Sequence, residues 1–290
     1  MVLTQIELHQ LLPLARTSQQ HRRILLLCAL AYVERPLVPD IRFNLNRVPD
    51  ANARLDFRFD VAGIKSLGYL LGLPAVVITT QRYRVNRDEA MCIVLGRLVF
   101  QTRLHTMSRT FGRSRPALCA IFNHVIREIF DCWKSFIYFN DRLVQRNIGA
   151  YCDAVYSKGA PLGNVFGFID GTKVQSCRIS STGGGQNFHI LSGFKGNDIS
   201  SRKRDFNKWM SRVRQSVEWN FMIMKSLWAF ITFKNLSKIR LSPVAKIVCV
   251  AMLLTNCHCC YYGGNQISDY FGLEPPSLEE YLDTVEVVVV

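Results

Sequence analysis

The chain has 290 residues, of which 49% are apolar, and its formal net charge is +14. This apolar content is enough to bury a sizeable core, which excludes a disordered chain, and the length fits one large or two ordinary domains. Its ten cysteines are scattered along the sequence. We therefore expect reduced thiols, and we exclude a small secreted domain held together by disulfides.

The positive charge is unevenly distributed along the chain. Six of the 22 acidic residues lie from Asp269 onward, where there is no Lys or Arg, so residues 1–268 hold 36 basic and 16 acidic residues. The resulting charge of +20 favours a polyanionic partner. We expect this partner to be a nucleic acid, and we expect no membrane association.

The first apolar stretch is RRILLLCALAYV, residues 22–33. It is too short to cross a bilayer and has no clear signal-peptide cleavage site, so we predict a buried amphipathic helix. Residues 34–56 contain Pro36, Pro39 and Pro49 together with several Asn and Asp residues. This composition predicts an irregular linker and a domain boundary.

Two helices are predicted after this linker. Apolar residues at helical spacing run from Asp60 to Leu71, and Gly72 and Pro74 then stop the pattern. The second helix, Asp88 to Phe100, begins with two acids, which suit a helix N-terminus. Its apolar residues are predicted to share one face; they are Met91, Leu95 and Leu98.

A further helix pair is predicted around a glycine. The segment Arg103 to Phe111 has helical periodicity, Gly112 breaks it, and Ser114 can cap a second helix that tolerates Pro116 in its first turn. The apolar face of this second helix is formed by Leu118, Phe122, Val125, Ile126 and Ile129. Helix, glycine turn and helix form the arrangement of a helix-turn-helix motif.

Arginine is concentrated around this helix pair. Eight Arg and no Lys lie between Arg82 and Arg115, against two acids. A guanidinium can bind phosphate through two hydrogen bonds or reach a guanine edge, so we predict DNA-contacting roles for several of them. The predicted DNA-binding residues are Arg103, Arg109, Arg113 and Arg115. The alternative is an all-α bundle in which these arginines only solvate one face.

The segment KGAPLGNVFGFIDGT, residues 158–172, places an acid after an apolar run. Residues 165–169 predict a buried strand, and Asp170 follows at its carboxyl end, where a carboxylate could hold a divalent cation. The alternative is an ordinary turn, because Asp-Gly is also a hairpin signal.

A second acid lies on a helix predicted from Phe206 to Phe230. Glu218 is expected at the edge of an apolar stripe that includes Val217 and Phe221. Its alternative role is an ion pair with Arg214, four residues earlier, which would contribute only about 0.3 to 0.5 kcal/mol if exposed.

Three blocks together resemble the PIF/Harbinger transposases. The first is KGAP followed by FGFIDGT, and the second runs through Phe206-Asn207, Arg214 and Val217-Glu218-Trp219. The third is the ordered series FRF, LGLP, DEAMCIVLGRL and LHTMSRTFGRSRPALCAIFNHV, which lies within residues 57–130. The resemblance implies an RNase H-like fold with a DDE acid triad in which Asp170 and Glu218 are catalytic residues and ligands of Mg²⁺ or Mn²⁺. It also implies double-stranded DNA as substrate, a nuclear location and a Myb-like accessory protein.

The second acid of that triad is not found. Glu218 follows Asp170 by 48 positions, but its helix is predicted to start near Phe206, which leaves residues 173–205. Two further strands, the acid's own strand and a crossover need roughly 35 residues before that helix starts, so the chain is too short. Residues 173–205 contain Gly183-Gly184-Gly185 and a basic run instead, and the family's His-Asp pair is absent. Asp198 or Asp205 could replace the acid, but no predicted strand positions either one. We therefore expect an internal gap that impairs catalysis.

These patterns predict an α/β protein, with an all-α helix-turn-helix-like region followed by a truncated RNase H-like (DDE) domain. The predicted parts are an N-terminal helix and linker, 1–56, a helical DNA-binding region, 57–155, the shortened DDE domain, 156–262, and an acidic tail, 263–290.

The run Cys257-His258-Cys259-Cys260 contains four residues whose side chains can bind zinc. Because adjacent residues cannot all reach one tetrahedral ion, we interpret it as buried thiols at a helix end.

Overall fold

Helices make up most of the structure, a computed structural model that describes residues 10–30, 38–100, 104–168, 200–232 and 243–282. The chain divides into two compact units, residues 1–39 and 40–290. The first unit contains a 3₁₀ turn, Leu12–Leu14, and the helix α1, Ser18–Leu30. All other elements belong to the second unit.

Helix α1 forms where the sequence predicts a helix, but it is not buried as predicted. Leu25, Leu26 and Leu27 are 49%, 65% and 49% exposed, whereas Cys28 is buried. Successive helical residues point about 100° apart, so three adjacent leucines cannot all face one neighbour. The leucine run therefore favours a helix without giving it a single apolar face.

The predicted linker, residues 34–56, is helical near its end. Leu45–Arg47 form a 3₁₀ turn, and the helix α2 spans Asp50–Phe57. Pro49 directly precedes α2, and Asp50 carries its acid in the first turn, two features that favour a helix start. Ala53 and Phe57 lie one turn apart and are both buried. The prediction of an irregular segment is therefore wrong for residues 50–56.

The two helices predicted after the linker are confirmed. Helix α3 spans Val61–Leu70, and its N-cap Asp60 accepts a hydrogen bond from the Gly63 N–H at 2.9 Å. A short antiparallel hairpin follows, with β1 at Val76–Ile78 and β2 at Arg84–Asn86. Helix α4 then spans Arg87–Val99.

Helix α4 is the centre of the core. Every residue from Glu89 to Val99 is buried, because α2, α3, the hairpin and the long helix at Arg115–Tyr138 surround α4. Met91, Leu95 and Leu98 share a buried face as predicted, but the other faces of α4 are buried as well. Even Arg97 is 9% exposed, and its guanidinium lies over the Phe230 ring, 4.9 Å from the ring centroid.

The helix pair around Gly112 forms as predicted. Helix α5 spans Leu104–Phe111 and helix α6 spans Arg115–Tyr138. Gly112 has a positive φ of 58°, and a Cβ there would lie 2.1 Å from the Ile41 carbonyl oxygen, so only glycine fits. Ser114 caps α6 by accepting a hydrogen bond from the Ala117 N–H. Two helices joined by a glycine turn are thus present, and their assignment as a DNA-binding helix-turn-helix stays a prediction.

The remaining elements complete the core. They are α7, Asp141–Ser157, α8, Ser201–Leu227, a 3₁₀ turn, Ala229–Thr232, α9, Val244–Tyr262, α10, Gln266–Phe271, and α11, Leu278–Leu282. Helix α9 is long and apolar enough to cross a membrane by length and composition alone, with a mean hydropathy of 1.5. In this structure α9 packs on α6, and its residues Val250 and Leu254 are fully buried in the core.

The strand predicted at residues 165–169 does not form over 165–168, which are irregular. Val165 packs instead against Val155, Ala160 and Val213 in a small second cluster. A strand needs a neighbour for its ladder hydrogen bonds, and the described residues contain one sheet, the β1–β2 hairpin. The protein is thus mostly helical with a small sheet, which is compatible with an α/β or a mainly α class.

The main core draws on residues from both sides of position 155. Trp133 and Trp228 are both almost fully buried in it, together with residues of α4 and α9. The predicted division at residues 56, 155 and 262 stays a prediction. In the structure, α2 to α6 contribute to the same hydrophobic core as the end of α8 and α9.

Candidate nucleic-acid interface

The predicted DNA-binding arginines fall in three different environments. Arg103 lies outside the described residues. Arg109 on α5 and Arg115 at the start of α6 are exposed. Arg113, in the turn between the two helices, is partly buried and ion-paired.

Arg113 holds the turn against the core. Its Nε donates to Glu89 Oε1, and its Nη2 donates to Glu89 Oε2 at 3.0 Å, which is a bidentate pair. The two side chains are 21% and 8% exposed. Because both donors are directed inward, Arg113 positions the turn, and the outward-facing cations near it are Arg109 and Arg115.

The hairpin carries two further arginines, for which the sequence predicted no secondary structure. Arg82 and Arg84 are exposed, one in the turn and one on β2. The turn is closed by the Arg82 N–H, which donates to the Thr79 carbonyl at 2.8 Å. The detectable signal was the β-branched run from Val76 to Ile78 and the alternation of Tyr83, Arg84 and Val85, on either side of a polar turn.

A second basic surface lies on the first half of α8. Residues 200–217 contain six cations and one acid. The cations are Arg202, Lys203, Arg204, Lys208, Arg212 and Arg214. Val213 and Ser216 are the buried residues of this half, so it contributes little to the apolar core. Such a helix offers phosphate-binding charge on a weakly held support.

The two acids of α8 are too far apart to share a metal site. The helix runs without interruption from Ser201 to Leu227, so Asp205 lies inside it and 13 residues before Glu218. At 1.5 Å per residue this is about 20 Å along the axis, whereas two-metal sites hold their ions about 4 Å apart. Glu218 is exposed, and Asp170 and Asp198 lie outside the described residues.

The cysteine-rich end of α9 belongs largely to the core. Cys257 is fully buried and Cys260 is 9% exposed. Burial raises the pKa of the Cys257 thiol well above its ordinary value and that of Cys260 to about 12, so both are protonated at neutral pH. His258 packs against the Phe59 and Tyr262 rings, and burial, with the nearby charge of Arg58, lowers its pKa to about 4.

The described residues do not include a group of three or more His, Cys, Asp or Glu side chains placed to hold one metal ion. The carboxylate on which the predicted site most depends, Asp170, is not among them. The possible metal ligands among the described residues therefore do not form a DDE metal centre by themselves.

One comparison with known proteins gives a match. Residues 176–256 match the model of a family described as DDE superfamily endonuclease. This supports the superfamily part of the resemblance. No curated protein and no solved structure matches the chain.

The matched range covers less than a third of the chain. It includes all of α8, with Glu218, and most of α9, and it begins six residues after Asp170. The helices α2 to α6, which carry Arg109 and Arg115, lie outside it. Similarity to an endonuclease family and the arginine-rich helix pair are thus two independent observations from two parts of the sequence.

Proposed function

We propose that this chain is a transposase-derived DNA-binding protein related to the divalent-metal-dependent DDE nucleases, of the PIF/Harbinger type. The observation that carries the proposal is the match of residues 176–256 to the DDE superfamily endonuclease model. Double-stranded DNA as the partner is supported by the exposed cations of α5, α6, the hairpin and α8. The proposed DDE part is a shortened RNase H-like domain.

We propose further that DNA cleavage and strand transfer are impaired. Asp170 and Glu218 are the residues that would hold Mg²⁺ or Mn²⁺, and a third carboxylate is missing between them. Helix α8 starts at Ser201, so residues 171–200 are what remains between Asp170 and this helix, fewer than the roughly 35 that the strands and crossover of a complete acid triad need. The described residues supply no carboxylate cluster, so no catalytic step is assigned to them.

The proposal carries two consequences for the cell. The resemblance to PIF/Harbinger transposases supports a nuclear location and a Myb-like accessory partner.

A second candidate function is a non-catalytic module that binds DNA or a protein partner. It is favoured by the fully formed arginine-bearing helix pair, which does not depend on the acids. An incomplete gene product is the third alternative, and it predicts non-cooperative unfolding.

The test combines binding and cleavage on the same duplex, which carries candidate terminal inverted repeats. We expect salt-dependent retardation with a steep slope, because each neutralised phosphate contributes about 0.9 to the slope of log K against log salt. In Mn²⁺ we expect weak cleavage or none. Weak cleavage should disappear in Asp170→Asn and persist in the matched control Asp153→Asn, which changes an exposed acid on α7.

Each outcome separates the alternatives. Efficient cleavage that requires Asp170 would show that a further acid completes the site, and the proposed impairment would be wrong. Retardation without metal-dependent cleavage would favour the non-catalytic module. No retardation of any duplex, even at low salt, would contradict DNA binding itself.

A further inference from the structure

A groove lies between the hairpin turn and one side of α6. Its volume is about 320 Å³, and it is open to solvent. One wall includes Gln81 and Tyr83, and the other is formed by α6 residues that include Cys119, Ala120, Asn123 and Arg127. These α6 positions recur every three or four residues, so they form one stripe beside the buried face of the helix.

The shape of the groove suits an extended ligand. Cys119 and Ala120 are small, so a ligand can come close to the α6 backbone between the longer side chains. From Pro116 to Arg127 the lining stripe extends over 11 residues, which is about 17 Å at 1.5 Å per residue. At one phosphate per about 3.4 Å of duplex axis along one strand, this length spans about five nucleotides.

The side chains that line the groove can read nucleobases. Gln81 and Asn123 stand on opposite walls, and each carboxamide offers a donor and an acceptor side by side, the pattern that pairs with an adenine edge. The Asn123 amide donates to Cys119 Sγ at 3.4 Å. A thiol is a weak acceptor, so a base can replace it at little cost.

Arginines lie in the groove lining and next to it along the chain. Arg127 belongs to the lining, Arg82 and Arg84 are exposed chain neighbours of the lining residues Gln81 and Tyr83, and Arg115 precedes the first lining residue of α6. Arg82 has a positive φ of 63°, a conformation that side chains other than Gly and Asn rarely adopt. The hairpin turn itself requires this conformation, because the Arg82 N–H donates to the Thr79 carbonyl and the Thr79 N–H donates to the Tyr83 carbonyl; the Arg82 side chain is exposed beside the turn.

Two acids of α6 lie near this surface. Glu128 follows Arg127, and its Oε1 lies 3.1 Å from His124 Nε2, a residue that also lines the groove. Asp131 lies one turn after Arg127 and is paired with Lys246 Nζ at 2.6 Å. Both acids therefore have a basic partner, and Arg127 is the arginine in the groove lining.

We propose that one strand of a DNA duplex lies in this groove, and that Gln81 and Asn123 read its bases while Arg127 contacts its phosphate backbone. The inference rests on the proposed function, and it adds the surface and the residues that determine sequence preference. It assigns base recognition to the junction of the hairpin and α6, whereas the basic half of α8 contributes attraction that is independent of sequence.

Alkylation of cysteines tests the location. The full chain is treated with a maleimide reagent with and without a pool of duplexes of random sequence, and the modified peptides are identified by mass spectrometry. Cys119 lies in the groove and is exposed, and Cys132 is an exposed control on α6, 13 residues further along. We expect DNA to slow modification of Cys119 several-fold and to leave Cys132 unchanged.

Variants test base reading. Selection from the same duplex pool identifies a preferred sequence, and its affinity is compared with that of a scrambled duplex. We expect Asn123→Ala and Gln81→Ala each to reduce this preference by about 5- to 150-fold with an unchanged salt slope. Arg127→Ala should weaken all sequences alike and reduce the slope by about one. The matched control Gln145→Ala, on α7, should change neither quantity.

The possible results distinguish the two proposals. Retardation of duplexes without protection of Cys119, or with an unchanged preference in both carboxamide variants, would overturn the groove assignment while DNA binding stands. Absence of retardation for every duplex would overturn the proposed function, and the groove assignment with it. Protection of Cys119 together with loss of preference in either carboxamide variant is the expected result.

Discussion

Helices α6 and α8 both present arginines to solvent, but they are supported very differently. Helix α6 buries nine residues along one face, from Ala117 to Phe136. Helix α8 is three residues longer and buries three, Val213, Ser216 and Met224. The end of α8 is held by Trp228, which is fully buried, and by Arg58, whose Nε donates to the Leu227 carbonyl at 3.5 Å.

This contrast separates two ways of binding a polyanion. Cations on a rigid support keep fixed mutual positions, so they can discriminate between sequences. Cations on a weakly anchored helix supply charge without fixed positions, which is sufficient for affinity that depends on salt and not on sequence. Charge alone therefore does not identify a surface that recognises a DNA sequence, because the packing of the supporting helix determines whether its cations keep fixed positions.

The largest effect is expected from removing the anchor of α6. Trp133 is 1% exposed, and its Nε1 donates to the Leu71 carbonyl at 3.2 Å. Trp133→Ala should lower the free energy of unfolding by about 3 to 5 kcal/mol, because it leaves a large cavity and an unpaired carbonyl. Denaturant-induced unfolding followed by circular dichroism measures this loss.

Helix α8 supplies the matched control. Trp209 is 44% exposed, so Trp209→Ala should lower the free energy of unfolding by only about 1 kcal/mol. Equal losses in the two variants would show that α8 is as firmly packed as α6, and the comparison would fail.

A smaller loss is expected at the turn before α6. Arg113→Ala leaves the Glu89 carboxylate buried without its bidentate partner, which should cost about 2 to 3 kcal/mol, less than in a fully buried pair because Arg113 is 21% exposed. Arg115→Ala, at an exposed position, should leave stability nearly unchanged and reduce DNA affinity instead. Measuring stability and retardation for both variants shows which arginine is structural.

A second variant distinguishes the lost pair from a general disturbance of the turn. Glu89→Gln removes the buried charge, so adding it to Arg113→Ala should recover part of the stability. Failure to recover any stability would mean that the carboxylate is not the origin of the loss.

The smallest effect is expected where α3 meets α9. Asp60 accepts hydrogen bonds from the Tyr261 hydroxyl at 2.6 Å and from Arg54 at 3.0 Å. Tyr261→Phe should cost about 1.5 kcal/mol at neutral pH, since it removes a hydrogen bond to a charged group. Tyr69→Phe, at a tyrosine that is 69% exposed, serves as the control and should have no measurable effect.

The same carboxylate makes stability depend on pH. Burial by itself would raise the pKa of Asp60, but hydrogen bonds from Tyr261, Gly63 and Arg54 lower it below the ordinary value of 3.8. Its contribution is therefore fully present above pH 3.8 and is lost as the pH falls below that value. In Tyr261→Phe this loss on acidification should be smaller, and a larger loss would contradict the assignment.

Local signals predicted much of the fold. Asp60 and Ser114 cap helices where the sequence places them, and Gly112 ends α5, because capping and positive φ depend on neighbours along the chain. Long-range packing was not predictable in the same way. The burial of α4 on all sides requires partners as distant as Phe230, which no local periodicity reveals.

The candidate site was predicted less completely than the fold. An arginine count could not show that Arg113 is paired with Glu89, since those residues are 24 positions apart and meet only after folding. The groove was missed because its two walls come from separate elements. The strand-like segments on either side of residues 79–82 would have predicted one wall, but not its position beside α6.

The enclosure of α4 has a consequence for synthesis of the chain on the ribosome. Elements from residue 45 onward surround this helix early, but its contacts with Ala229–Thr232 must wait for a segment made about 130 residues later. Until then Phe122, which packs edge-to-face on Phe230, has no ring partner there. A nascent chain that ends before residue 229 therefore exposes an aggregation-prone apolar surface. We expect such fragments to require chaperones or to be degraded.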